Sequence, residues 1–251
     1  ASASGAVLLD YCSDVVFNAC NFTNNNASVS AGAVFIKTPR YGQNKGVSFT
    51  KSTFINNTAT SGGAIYCGGD DMVIDESVFI DNHASNYAGA IYNTAVNMQI
   101  KNSKFINNSA LSAGAIDMPA TTNNAVIKNT EFTANRATNE AGAMWIVGTG
   151  SEISGCNFTN NRATYYGGAV YLSFTESRIS NCTFDSNAVE LVENYKTSGG
   201  AIFSDYNNLT ITNSRFTNNS ATEGNAVYAC DTSYNITGCT FRDNKNALYS
   251  Y

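Results

Sequence analysis

Apolar and polar positions along this chain repeat in a fixed phrase. A Phe is followed three residues later by an Asn, nine times: Phe22, Phe54, Phe79, Phe105, Phe132, Phe158, Phe184, Phe216 and Phe241 precede Asn25, Asn57, Asn82, Asn108, Asn135, Asn161, Asn187, Asn219 and Asn244. Most steps are 25–27 residues. A second phrase, GGA[IV]Y or a near form, stands between them, as at Gly63, Gly89, Gly114, Gly142, Gly168 and Gly200. Within one period, GGAIYCGGDDMVIDESVFIDN from Gly62, three short alternating runs are separated by polar turns. Ile65 and Cys67 share one face, Met72 and Ile74 another, Ser77 and Phe79 a third. Alternation of this kind predicts half-buried strands.

Comparing periods shows which face is inside. Two residues after the motif Gly stand Val7, Val34, Ile65, Ile91, Ile116, Met144, Val170, Ile202, Val227 and Leu248, all apolar, with Asn replacing Gly in the last two. Five before each Phe stand Phe17, Phe49, Ile74, Ile100, Ile127, Ile153, Ile179, Ile211 and Ile236. Two before each Phe the residue is always Cys, Ser or Thr. Self-similarity at this period means a solenoid, and columns of like residues arise when coils stack in register about 4.8 Å apart. The pattern predicts an all-β fold: a three-sided parallel β-helix of about nine coils, roughly 45–50 Å long. Right-handedness is expected because parallel crossovers are overwhelmingly right-handed. Each repeated Asn is then expected to bond to the Asn above and below, a ladder that satisfies an otherwise buried amide.

Composition narrows the picture. The 251 residues are read as one β-helix domain, 1–251, with loop insertions at 37–46 and 189–197. Charged residues make up 13% and the net charge is −5, which argues against a nucleic-acid partner. No apolar run reaches membrane-spanning length, so no membrane insertion is expected. Seven Cys in an Asn-, Ser- and Thr-rich chain point to an oxidising, extracellular setting. None stands in a zinc-type spacing, and no cofactor is expected. Nine glycosylation sequons occur, a number near that expected from composition alone; Asn56, Asn107 and Asn218 are the best-placed candidates, because each precedes a ladder Asn and should point outward.

The paired phrases FxxN and GGA[ILV] resemble the repeats of chlamydial polymorphic outer-membrane proteins. FINNTATSGGAIY at Phe54 and FTNNRATYYGGAVY at Phe158 look closer to adhesin-like surface proteins of methanogenic archaea. The resemblance covers essentially the whole chain and implies an extracellular solenoid of the cell surface.

Three features bear on function. Neither end shows a capping segment, and open ends expose unpaired strand edges. Cys156 and Cys182 share a column in neighbouring coils, so an intrachain contact is expected. Cys20 and Cys239 hold the same column in the first and last coils, and Cys12 and Cys230 stand near a shared position. These meet only if one chain stacks head-to-tail on another, a self-association that gives rings or filaments; trimmed flanks explain bare ends equally well. Three after the motif Gly runs an aromatic stripe, Phe35, Tyr66, Tyr92, Trp145, Tyr171, Phe203, Tyr228 and Tyr249, expected outside, with Leu8 and Asp117 as its exceptions. It suits ring-on-ring shielding of the sheet, lateral packing, or glycan binding. Catalysis would need clustered acids and bases on one face. Asp70 and Asp71 are the best pair, but nothing in adjacent coils aligns with them, and the one His, His83, follows an Asn corner. The reading is a structural, non-enzymatic surface solenoid that assembles end to end into a filament, hoop or sheath. An adhesin passenger is the alternative, and a polysaccharide lyase or glycosidase the remotest.

Overall fold

The computed structural model describes residues 4–38, 44–119, 122–174, 176–190 and 195–250. Every coil runs through the same corners, and each strand pairs in parallel with its copy one coil away. The motif strands form a ten-stranded sheet from Val7–Leu9 to Leu248–Ser250. The strands carrying the Ile column form a nine-stranded sheet from Val16–Asn18 to Ser233–Thr237, and the Phe strands another from Asn21–Thr23 to Thr240–Arg242. A fourth, six-stranded sheet of shorter strands, from Thr58–Ser61 to Ala188–Val189, follows the Asn corner. The long sheets are the three sides expected from the sequence, and the architecture is a right-handed parallel β-helix. Both insertions fall partly outside the described residues, at 39–43 and 191–194.

Register explains the sequence columns. Phe79 pairs with Phe54 and Phe105, Ile100 with Ile74 and Ile127, Ile91 with Ile65 and Ile116. The nine Phe rings stack face to face, with centroids 4.6–5.0 Å apart and planes within 9°. Within this column Phe54, Phe79, Phe105, Phe132, Phe158, Phe184 and Phe216 are fully buried, so each contributes about 1.5–3 kcal/mol by leaving water.

The corners have a local cause. Between the Ile and Phe sheets the chain turns through one left-handed residue per coil, including Lys51 (φ 50), Asn102 (φ 48) and Asn213 (φ 48). After the Phe strand it turns again through the residue before each ladder Asn: Asn56 (φ 52), Asp81 (φ 55), Asn107 (φ 54), Asn160 (φ 56) and Asn218 (φ 53). Asn and Asp tolerate this region better than other side chains, which accounts for the recurring pair NN or DN at the end of the Phe phrase. The motif Gly answers a different need. A Cβ at Gly114 would lie 2.0 Å from the Gly142 carbonyl oxygen, and one at Gly142 2.0 Å from that of Gly168.

Candidate functional site

The Asn ladder is continuous. Each Nδ2–H donates to Oδ1 of the next coil's Asn: Asn25 to Asn57 at 2.8 Å, Asn82 to Asn108 at 2.9 Å, Asn135 to Asn161 at 3.0 Å, Asn219 to Asn244 at 3.2 Å. The same Oδ1 also accepts the backbone N–H of the preceding Asn, as Asn135 Oδ1 does from Asn108 at 3.0 Å. The second Nδ2 hydrogen goes back to the previous coil's Phe carbonyl, as from Asn135 to Phe105 at 2.9 Å. All capacity of an interior amide is used, which makes the ladder polar. Asn25 Oδ1 meets no donor among the described residues, and Asn244 Nδ2 bonds only to the Phe216 and Arg242 carbonyls, with no Oδ1 beyond it.

A second ladder runs through the Ser, Thr and Cys column. Backbone N–H groups donate to the side chain one coil on, from Cys20 to Ser52 at 3.2 Å and from Ser52 to Ser77 at 3.1 Å. Cys156 N–H meets Cys182 Sγ at 3.4 Å, so those two cysteines are adjacent. The hydrogen bond with Cys182 and burial push the Cys156 thiol well above its ordinary value, which disfavours the nucleophilic thiolate. All seven cysteines are free thiols in the structure. Cys20 and Cys239 occupy the first and last rungs of one column, before the strands Asn21–Thr23 and Thr240–Arg242. Cys12 and Cys230, expected near a shared position, stand five residues after Val7 and three after Val227. Cys12 lies in a turn, its N–H bonded to Asn44 Oδ1, whereas Cys230 ends the strand Val227–Cys230 opposite Asp205. Phe17 stands ten residues after Val7 but Ile236 nine after Val227, so the two coils are out of step by one residue in this stretch.

The aromatic stripe faces outward but is not freely exposed. Phe35, Tyr66, Tyr92, Trp145, Tyr171, Tyr228 and Tyr249 are half-buried and Phe203 is 7% exposed. Rings cover rings: Tyr66 lies 5.1 Å from Tyr92, Trp145 5.2 Å from Tyr171 at 3°, Phe203 5.2 Å from Tyr228 at 4° and Tyr228 5.1 Å from Tyr249 at 8°. Tyr166 from the adjoining turn packs 4.7 Å from Phe203 and deepens its burial. Between Phe35 and Tyr249 the column breaks at Asp117. Asp117 stands between Tyr92 and Trp145 in register, on the outward face yet 4% exposed. Burial pushes its carboxyl up to about 7, and no hydrogen bond reaches it among the described residues. The Tyr92 phenol is pushed up to about 12, by burial first and then by the Asp117 charge. Above Asp117 opens a cavity of about 250 Å³ lined by Tyr87, Tyr92, Asp117, Pro119, Trp145 and Val147.

The remaining candidates lie in corners. Asp70 accepts from Val96 N–H at 3.1 Å and Asp71 from Asn97 Nδ2 at 2.9 Å, each tying one coil to the next. His83 is exposed, with Nδ1 3.0 Å from Ser109 Oγ. Asn56, Asn107 and Asn218 all point to solvent. The amide of Asn56 bonds to Asn24 at 2.8 Å and that of Asn107 to Asp81 at 2.5 Å. Among the described residues no helix is long and apolar enough to cross a membrane.

Parallel pairing, stacked columns and single-residue corners define a β-solenoid. The chain belongs to the right handed beta helix region family, which matches residues 120–251. The Chlamydia polymorphic membrane protein repeat matches residues 51–68 and 76–94. No curated protein matches the chain. Among solved structures, an alginate lyase from Paenibacillus sp. str. FPU-7 is similar over 90% of this chain and 80% of its own, at 12% identity and a TM-score of 0.40.

Proposed function

We propose that this protein is an extracellular structural solenoid of a cell surface whose coils stack head-to-tail on coils of a second copy, building a filament, hoop or sheath. The observation that carries the reading is the polarity of the ladders. At every step from Asn25 to Asn244 the amide donates in the same direction along the axis and the side-chain oxygen accepts from the other side, so the ladder has one sense throughout. A second copy stacked in the same sense and register would meet the same kind of partner group that each coil meets in its neighbour. The motif register supports the same fit, because Val7 pairs with Val34 as Val227 pairs with Leu248. Such a contact is heterologous and propagates. Cys20 and Cys239 would become neighbours across it, within the Cα separation a disulfide spans.

Surface placement draws on two likenesses. One is the polymorphic membrane protein repeat, and the other is the wording shared with adhesin-like surface proteins of methanogenic archaea. Asp70 and Asp71 have structural roles in this reading, since each accepts a hydrogen bond from the next coil. Sedimentation of the full chain at rising concentration tests it. A ladder of multimers is expected, part of it resistant to dilution under oxidising conditions and reduced to reversible multimers in Cys20→Ser. A single monomer boundary across the accessible range would overturn it. An adhesin passenger is the second reading, favoured by the break in the aromatic column, which opens a recess between Tyr92 and Trp145.

A further inference from the structure

The recess at Asp117 differs from every other rung of its column. Elsewhere between Phe35 and Tyr249 the outward position holds a ring packed on its neighbours. Here the ring is replaced by a carboxyl group, so Tyr92 and Trp145 stand two rungs apart, about 9.6 Å. Tyr171 covers one face of Trp145 at 5.2 Å, and the opposite face is turned along the column toward the missing rung. Tyr87 closes the side, its ring 6.0 Å from Tyr92. Two polar groups of the site have no hydrogen-bond partner among the described residues. The Asp117 carboxyl is nine-tenths buried with no hydrogen bond among the described residues, and Trp145 Nε1 is buried without an acceptor.

From this geometry we infer that the recess binds a soft organic cation, an alkylated ammonium head, held between the Tyr92 and Trp145 faces over the Asp117 carboxylate. A head centred in the gap lies about 4.8 Å from each ring, inside the ~6 Å range over which an aromatic face attracts a cation. The ammonium head supplies the opposite charge that the buried Asp117 carboxylate otherwise lacks. The volume of about 250 Å³ admits such a head with a short substituent. A neutral sugar would stack on the same faces but leave Asp117 without a counter-charge. The same head occurs on free choline and on the headgroup of phosphatidylcholine. This inference goes beyond end-to-end stacking and does not depend on it, because the recess lies on the side of the rod.

The chain contains one Trp, and it forms a wall of the recess, so its emission reports the site directly. Choline and its uncharged isostere 3,3-dimethylbutanol are titrated into the full chain, with methyl glycosides as the neutral-ring arm. Saturable quenching or a spectral shift is expected with choline, about tenfold tighter than with the isostere. Asp117→Asn is expected to keep the fold and the Trp145 signal while removing that preference. Tyr92→Ala is expected to weaken choline binding about tenfold. Vesicles of phosphatidylcholine against vesicles of phosphatidylglycerol separate the lipid source from the free one, and binding of either choline form supports the assignment. Equal response to choline and its isostere, tighter binding of a methyl glycoside, or an unchanged preference in Asp117→Asn would each overturn it.

Discussion

At the scale of single residues, buried polar groups decide most of the energetics. The Asn ladder has no spare bond, so each amide is tied to both neighbours. Asn135→Ala removes the acceptor used by Asn108 and the donor used by Asn161, and should cost roughly 2–4 kcal/mol in a denaturant titration. Asn107→Ala, one residue from Asn108 and exposed, should cost far less. Asp117 behaves oppositely, because it is buried with no hydrogen bond among the described residues. Its folded-state value of about 7 lies above the ordinary 3.8, so the folded protein holds a proton that the unfolded chain has released. Its contribution to stability is therefore complete below about pH 4 and is lost as pH rises through about 7, a change of roughly 4 kcal/mol at most. Asp117→Asn should flatten that part of the stability–pH curve and leave the variant more stable than the parent at pH 8. An unchanged curve would mean the carboxyl is not the buried acid described here. The Asp was visible in the sequence as an exception in the aromatic column. Its burial was not, because that depends on Tyr87, Pro119 and Trp145 closing around an outward position.

At the scale of strands and corners, legibility followed side-chain size and repetition. The Phe, Ile and Asn columns read directly from spacing, since each places one bulky or hydrogen-bonding group per coil at a fixed phase. The fourth sheet did not. Its strands are two to five residues long and alternate small or polar residues, as in Arg136–Ala137 and Arg162–Ala163, too short for a period-two pattern to register. Counting from a landmark also loses step where a turn changes length, as between Val7 and Phe17 compared with Val227 and Ile236. The motif Gly is legible as a conformational demand once the coils are stacked. Gly142→Ala sets a Cβ against the Gly168 carbonyl oxygen at 2.0 Å, a backbone atom with no rotamer to escape into. It should destabilise by about 1–3 kcal/mol in a thermal or denaturant melt. Asn already occupies the equivalent position at 225, in the last full coil, where one further rung lies beyond it. A substitution at Gly200, closer to that end, should be no worse than one at Gly142.

At the scale of the whole molecule, stability is close to a sum over coils and their interfaces. Every interior coil bonds on two sides, whereas the first and last described coils bond on one, and their core residues are correspondingly less buried. Leu248 is 42% exposed where its equivalents in interior coils are buried completely. The central claim is that one register continues without a break from coil to coil and onward from molecule to molecule. Electron cryomicroscopy of the concentrated protein tests it most directly. The account predicts rods several times longer than the roughly 45 Å of one chain, with an axial spacing of about 4.8 Å running unbroken through each junction and Cys239 of one copy beside Cys20 of the next. Isolated particles one chain long, or rods joined side to side with their ends apart, would contradict it.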